Sequence, residues 1–474
     1  MTARLPNRRL IFDISTLARS GGAIGGIWRV VHELARWAQV HRDNVVFAVY
    51  DTETETFRSV HEDWNEILWQ GCADIDYSRR RKPHVSNVPL RDRLPDPLRE
   101  LALWLHAPRR RAMIAFERWR LSVESSSVRA CVERLQSFVL SAKLRRELWD
   151  AAGRRRAIIP FDMAVGPAFD FNENDVLIVA GAEWLLRRPT LYCDLKEKHG
   201  NGLVFLCHDI IPLLFPQLYV KRAVDVFREY IHTILPIADL VIFTTHRSEH
   251  DTREYCVENG LPLGKTRVMQ LGANFINPNT VVVQPLPPGL ETNHYALFVS
   301  DFNGRKGHGL LFSIWTRLLA QGVPQAHRFK LVFVGHRRVG NMLVDEIEAH
   351  LCAGDTLLIL SGVADDTLAT MYQQAAFCLF PSLYEGYGLP VVEGFGYGKA
   401  VIASTGGALP EVIGDLSPCL DPLDEQAWFE AIKLWIEQPA VRARFEAAIR
   451  DRFQPTTWQE AAEGFFALVD TELH

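Results

Sequence analysis

The sequence predicts an α/β protein of two doubly wound domains. Two series of short apolar, β-branched and aromatic runs are separated by stretches of helical periodicity. A Pro- and Gly-rich segment divides the two series, and the 474 residues exceed the roughly 250 to 300 at which a single core stops growing. The runs are continuous rather than alternating, the pattern of parallel strands covered by helices on both faces.

In chain order, the first series lies at residues 10–14, 45–50, 176–180, 203–207 and 240–243. A loop carrying Gly21, Gly22, Gly25 and Gly26 follows the first run and leads into a helix from about Trp28. Residues 276–291, with Pro278, Pro285, Pro287, Pro288 and Gly289, read as a linker. The second series lies at 295–299, 330–334, 357–360, 377–380 and 400–403. Within it, Asp365 or Asp366 is expected to cap a helix whose apolar positions Leu368, Met371, Tyr372 and Ala375 share one face. After Pro455, the spacing of Trp458, Ala461, Ala462, Phe465, Leu468 and Val469 predicts a last helix. The expected division is 1–275, 276–291, 292–454 and 455–474, the final helix packing back on the first domain.

Apolar residues make up 48% and charged residues 23%, a composition that excludes disorder. No apolar run reaches the roughly 18 to 20 residues a bilayer span requires, and the first twenty residues lack an apolar export core. A cytoplasmic chain is expected. The eight cysteines stand singly, without Cys-x-x-Cys, so zinc is not expected. The net charge of −5 conceals a polar distribution: residues 79–156 hold 20 Lys/Arg against 8 Asp/Glu. This segment, with RRRK at 79–82 and RRR at 109–111 and 154–156, reads as a basic helical insert. Interleaved Trp104, Trp119 and aliphatic residues would suit an anionic membrane surface, peripheral to the inner leaflet; the alternative is an insert packed on the first domain. Nucleic acid is not an expected partner, because the chain is net acidic and carries no matching module.

Residues 380–411, FPSLYEGYGLPVVEGFGYGKAVIASTGGALPE, are the most informative. A strand end passes through a turn with Gly386 and Gly388 and enters a helix near Pro390. Glycines admit a close ligand, and the helix start offers unpaired N–H groups that favour phosphate. Glu385 and Glu393 lie eight residues apart, one on the turn and one a helical turn in, placed to accept hydrogen bonds from sugar hydroxyls. In the DFNGRKGHG stretch at 301–309, Arg305 and Lys306 bring two cations to the same cleft. In the first half, VFLCHDIIPL at 204–213 places His208 and Asp209 at a strand end, where a histidine is more often structural than catalytic. Asp74 and Asp76, alternating beside the basic insert, read as a solvated edge rather than a metal site.

The stretch from Glu385 to Glu393 closely resembles the Glu-x7-Glu motif of retaining glycosyltransferases of family 4. The resemblance extends upstream through SGVADDTL at 361–368 and downstream to Glu411, covering the second domain, while Gly-Ile-x-Arg-Val at 26–30 in the first is similar to bacterial members, mannosyltransferases among them, that build surface polysaccharides. It implies the GT-B fold, two Rossmann-like domains facing across a cleft. It also implies a nucleotide diphosphate sugar as donor substrate, no further cofactor and no metal. Glu393 would hold the donor ribose, Glu385 would lie beside the transferred sugar, the amides of Tyr387, Gly388 and Leu389 would meet sugar and diphosphate, and Val363 would lie against the base. Lys306, helped by Arg305, would stabilise the leaving diphosphate. Many relatives carry a further Arg shortly before this Lys, where this chain has Ser300 and Asp301. Gly25 and Gly26 resemble the loop that faces the diphosphate, while Arg29 either joins that site or solvates its helix. By the same resemblance His208 contacts the transferred sugar, making Glu385 and His208 the catalytic candidates.

The implied chemistry is front-face transfer of a hexose with retention, the leaving phosphate accepting the acceptor's proton. Mannose from GDP-mannose is the first reading for the donor and a UDP-hexose the second; the acceptor would be a saccharide or lipid-linked saccharide of a bacterial surface glycan such as O-antigen. A nucleotide-sugar epimerase of the same architecture and an inactive membrane-recruiting scaffold are the competing readings. The oligomeric state is not legible from sequence.

Overall fold

The computed structural model describes residues 8–19, 26–61, 73–76, 157–273, 284–335, 342–350 and 354–473. The basic insert at 79–156, glycines 21, 22 and 25, and linker residues 276–283 lie outside the described residues.

The first sheet contains β1 (Arg9–Asp13), β2 (Val45–Asp51), β3 (Thr56–Val60), β6 (Val165–Ala168), β7 (Asp175–Val179), β8 (Gly202–Cys207), β9 (Leu240–Phe243) and β10 (Lys265–Val268), while β4 (Ala73–Asp76) and β5 (Ala157–Pro160) pair by themselves. The strand order is β10-β9-β8-β7-β1-β2-β3-β6. The six strands from β10 to β2 are parallel; β3 and β6 extend the edge antiparallel. Side-chain alternation explains the unbroken apolar runs. Leu10 and Phe12 of β1, with Val176 and Ile178 of β7, enter one core, whereas Ile11, Leu177 and Val179 enter another on the opposite face. β1 and β7 therefore bury both of their faces.

The helix Ile27–His41 covers the first of these faces through Val30, Val31, Leu34, Ala35 and Ala38. The C-terminal helix Trp458–Glu472 covers the same face through Trp458, Ala461, Ala462, Phe465, Phe466 and Val469. A capping box at Thr457 and Glu460 starts it. Arg42 then clamps it by a bidentate pair with Asp470, both contacts at 2.7 Å. The chain thus returns after the second sheet to complete the first core.

The second sheet is fully parallel, in the order β13-β12-β11-β14-β15-β16: β11 (Tyr295–Val299), β12 (Lys330–Val334), β13 (Leu357–Leu360), β14 (Phe377–Phe380), β15 (Val401–Ser404) and β16 (Cys419–Leu420). Its core gathers Phe298, Trp315, Phe333, Phe377, Trp428 and Trp435. One local expectation is corrected. Neither Asp365 nor Asp366 caps its helix, which runs Asp365–Gln374 with Ala364 at the cap; both acids sit in the first turn, where a negative charge complements the exposed amides. Among the described residues, no helix is long and apolar enough to cross a membrane.

Candidate active site

The carboxyl end of β14 delivers the Glu385 turn. Ser382 follows the strand, its carbonyl accepting from the buried Ser404 hydroxyl at the end of β15. Glu385 then makes an isolated bridge with Gly407, its carbonyl accepting from the Ala408 amide at 2.9 Å. The turn closes at Gly388, whose φ of 102° lies in a region that favours glycine, and a β-carbon there would stand 2.6 Å from Leu409. The helix Leu389–Gly396 starts immediately afterwards, with Pro390 in its first turn and Glu393 in its middle.

The 3-10 turn Gly304–Lys306 follows β11, and Asn303 accepts the Arg305 amide at 3.0 Å to start it. Both cations converge on one carboxylate. Lys306 Nζ lies 2.7 Å from Glu385 Oε1, and Arg305 Nη1 lies 2.9 Å from Oε2 while also donating to the Tyr384 carbonyl. Burial by itself would raise the Glu385 carboxyl, but the two cations more than offset it and hold the group down at about 2. Burial, together with the neighbouring Arg305 charge, lowers Lys306 despite the opposing Glu385 carboxylate. The two cations therefore do not stand free in the cleft: they are assembled with Glu385 into a compact, mostly buried triad.

His208 and Asp209 arrive from the end of β8 in the first sheet. His208 Nε2 donates to the Ala180 carbonyl, beyond β7, at 2.8 Å. A carbonyl only accepts, so in the neutral ring this bond places the proton on Nε2 and leaves Nδ1 with the lone pair. Burial lowers the imidazole despite the opposing Ala180 bond and Asp209 charge, favouring that neutral form. Asp209 accepts the Ile211 amide at 3.0 Å and lies within the fields of Arg305 and Glu385.

The two halves meet here. Thr245 and Ser248, at the start of the helix His246–Glu258, donate to the Gly386 carbonyl at 3.1 and 3.3 Å, and Ser248 also reaches the His208 carbonyl at 3.3 Å. Glu411 caps that helix from the other half, accepting the His246 and Arg247 amides at 2.9 Å each. Phe215 packs on Tyr384, and the Tyr387 hydroxyl donates to the Leu271 carbonyl at 3.0 Å. Tyr387 and Leu389 thus turn their side chains into the first core.

Of the remaining expected residues, Gly26 is exposed just ahead of its helix, and Gly25 lies outside the described residues. Glu393 is paired across the halves with Arg29 at 2.8 Å and accepts from Tyr372 at 3.2 Å. Val363 borders an open cavity of about 650 Å³ together with Pro287, Ser361, Gly362 and Thr367, at the end of β13. The structure therefore joins Glu385, Arg305, Lys306, Asp209 and His208 in one cluster and sets Glu393 and Val363 in separate surroundings. Sequence reasoning missed Tyr372, Thr245, Ser248 and Tyr384 as parts of this seam. Only Thr245 had a usable signal, a Thr-x-x-Ser pattern before a helix.

Residues 287–452, which contain Glu385, Arg305, Lys306 and Glu393, match the family described as Glycosyl transferases group 1. They form a group 1 glycosyltransferase domain. Among curated relatives, the serotype-specific mannosyltransferase WbdA of Escherichia coli is 23% identical over 318 residues, covering 62% of this chain. The O-antigen chain mannosyltransferase B of Escherichia coli is 26% identical over 250 residues, or 52% of the chain. The chain spans 37% of the length of the first and 63% of the second. The solved sucrose-phosphate synthase of Thermosynechococcus elongatus aligns over 98% of both chains with a TM-score of 0.58 at 18% identity. That likeness, with one mostly parallel and one fully parallel sheet, makes the fold GT-B.

Proposed function

We propose that this chain is a retaining glycosyltransferase that moves a hexose from a nucleotide diphosphate sugar to a saccharide or lipid-linked saccharide. One observation carries the reading: Glu385, Arg305 and Lys306 from the second sheet meet His208 and Asp209 from the first at the carboxyl ends of both sheets, where open α/β folds bind ligands. The triad is suited to a leaving diphosphate. Lys306 and Arg305 supply positive charge that grows in value as the glycosidic bond breaks, and Glu385 keeps both aligned. His208, fixed by the Ala180 carbonyl, offers Nδ1 toward a sugar hydroxyl. Mannose from GDP-mannose is the favoured donor, supported by the curated mannosyltransferases among the relatives. The same similarity favours a transferase over an epimerase. We further propose that the chemistry is independent of a metal ion.

The test is a donor screen by nucleotide release, with and without a mannan-type acceptor, in buffer with and without chelator. Acceptor-dependent release from GDP-mannose that survives chelation is expected, together with an α-linked product. Conversion of the donor sugar without acceptor would decide for an epimerase. No release from any common nucleotide sugar would defeat the reading.

A further inference from the structure

Arg29 is the third residue of the helix that follows the glycine loop, in the first half of the molecule. Its guanidinium crosses to the second half and lies 2.8 Å from Glu393 Oε1, with only 15% and 13% of the two side chains exposed. The other carboxylate oxygen accepts from the Tyr372 hydroxyl at 3.2 Å, and Tyr372 is fixed in turn by stacking on Tyr397. These two bonds orient the carboxylate along both oxygens. A carboxylate offers about four lone-pair positions, so a pair of adjacent hydroxyls still finds acceptors there.

We propose that Arg29 is a positioning residue of the donor site, reaching across from the first half to set the Glu393 carboxylate for the two ribose hydroxyls of the donor. This rests on the donor reading above. It adds that the ribose grip is assembled only when both halves are together, because one of its two orienting bonds comes from each half. Electrostatics point the same way. Burial raises the Glu393 carboxyl, Asp365 raises it further, and Arg29 and Tyr372 oppose them. Without the guanidinium, Glu393 takes up a proton more readily, and one of its oxygens becomes a donor rather than an acceptor.

The experiment uses the full chain and its Arg29→Met and Arg29→Lys variants, each first checked for an unchanged melting profile. Calorimetry measures binding of GDP and UDP and of their 2′,3′-dideoxy counterparts, between about pH 6 and 9. The wild type is expected to bind the ribose form of its preferred nucleotide about tenfold or more tighter than the dideoxy form, the worth of hydrogen bonds to a charged group. Arg29→Met should erase that ratio while leaving affinity for the dideoxy form unchanged, and its ribose affinity should fall as pH decreases. Arg29→Lys should recover most of the ratio. If Arg29→Met weakens both forms equally, the residue is a diphosphate contact or a purely structural strut and the proposal is overturned. A wild type that binds nucleotide with no preference for ribose overturns the proposal alone. A wild type that binds neither nucleotide overturns it together with the donor reading.

Discussion

Gly386 lies so close to His208 that a β-carbon at position 386 would stand 2.8 Å from the His208 carbonyl oxygen, and equally close to Asp209 Oδ2. The two halves of the molecule touch here through backbone, which cannot swing aside as a long side chain can. Gly386→Ala is therefore expected to push the seam apart, at about 1 to 3 kcal/mol for overpacking. Because the displaced groups include His208 and Asp209, transfer should fall as well, by roughly five- to a hundredfold where a cost of that size is felt in the transition state. Gly304→Ala is the control, since nothing lies within 4 Å of a β-carbon there, although the glycine adjoins Arg305. It should leave melting and transfer close to wild type. Equal losses in both variants would show that the seam is not the sensitive element.

The Lys306–Glu385 pair makes a pH prediction. Glu385 titrates at about 2 in the folded chain against an ordinary 4.5, because Lys306 and Arg305 outweigh its burial. A carboxyl lowered on folding contributes stability that is present above its unfolded value and lost as pH falls toward the folded one. The contribution, on the order of 3 kcal/mol, should therefore vanish between about pH 4.5 and 2. Glu385→Gln should flatten the acid limb of the melting curve in that window. It also leaves Lys306 and Arg305 facing each other without their shared anion, which costs stability at neutral pH. A variant with an unchanged acid limb would show that the triad is not formed in solution.

What the sequence disclosed follows from where the physics is local. Strands such as β1 and β7 were legible because both faces are covered, leaving unmistakable apolar runs. The edge strands β6 and β10, and β3 beside the edge, were not: Pro167, Lys265 and Arg58 interrupt them, since strands at a sheet margin need less apolar surface. β16, two residues long, gives no period at all. Glu385, Arg305 and Lys306 were found as separate motif residues, because their types and their strand-end positions are local facts. Their union into one triad spans 79 residues of chain and depends on the order of β11 and β14 in the sheet. Arg29 was ambiguous for the same reason, as its partner lies 364 residues away.

The C-terminal helix should be integral to the first core rather than an appendage. Phe466 stacks on Trp37 at 5.4 Å, packs against Phe12, and is covered by the Arg42 guanidinium. Removing such a ring from a filled core costs about 3 to 5 kcal/mol. Phe466→Ala should lower the main melting transition rather than merely fray the end of the chain. Hydrogen exchange should show it loosening the helix Ile27–His41 as well. If only residues 458–473 lose protection, the helix is a separable tail.

Glu183 makes the last prediction. It is fully buried behind the ends of β1 and β7, where Thr16 donates to its Oε1 at 3.1 Å. Arg187, the nearby cation, is already committed to Asp13 at 2.5 Å. Burial raises Glu183 to about 8, Asp13 adds to the rise, and Arg187 only partly opposes it. Below its unfolded value of 4.5, Glu183 is protonated in both states and folding bears no ionisation penalty. As pH climbs toward 8 the unfolded chain gains by ionising while the folded chain keeps the proton, so stability declines. Glu183→Gln keeps the shape and the oxygen that Thr16 needs but has no proton to lose. It should raise the melting temperature progressively from pH 4.5 to 8 relative to wild type. Asp13→Asn should do the reverse at neutral pH, because it strands the Arg187 cation. The freed guanidinium would then turn to Glu183 and lower its carboxyl, so the pH dependence should weaken in that variant. A gain from Glu183→Gln that is the same at both ends of the range would mean that Glu183 is already ionised in the fold, with Arg187 shared between two carboxylates.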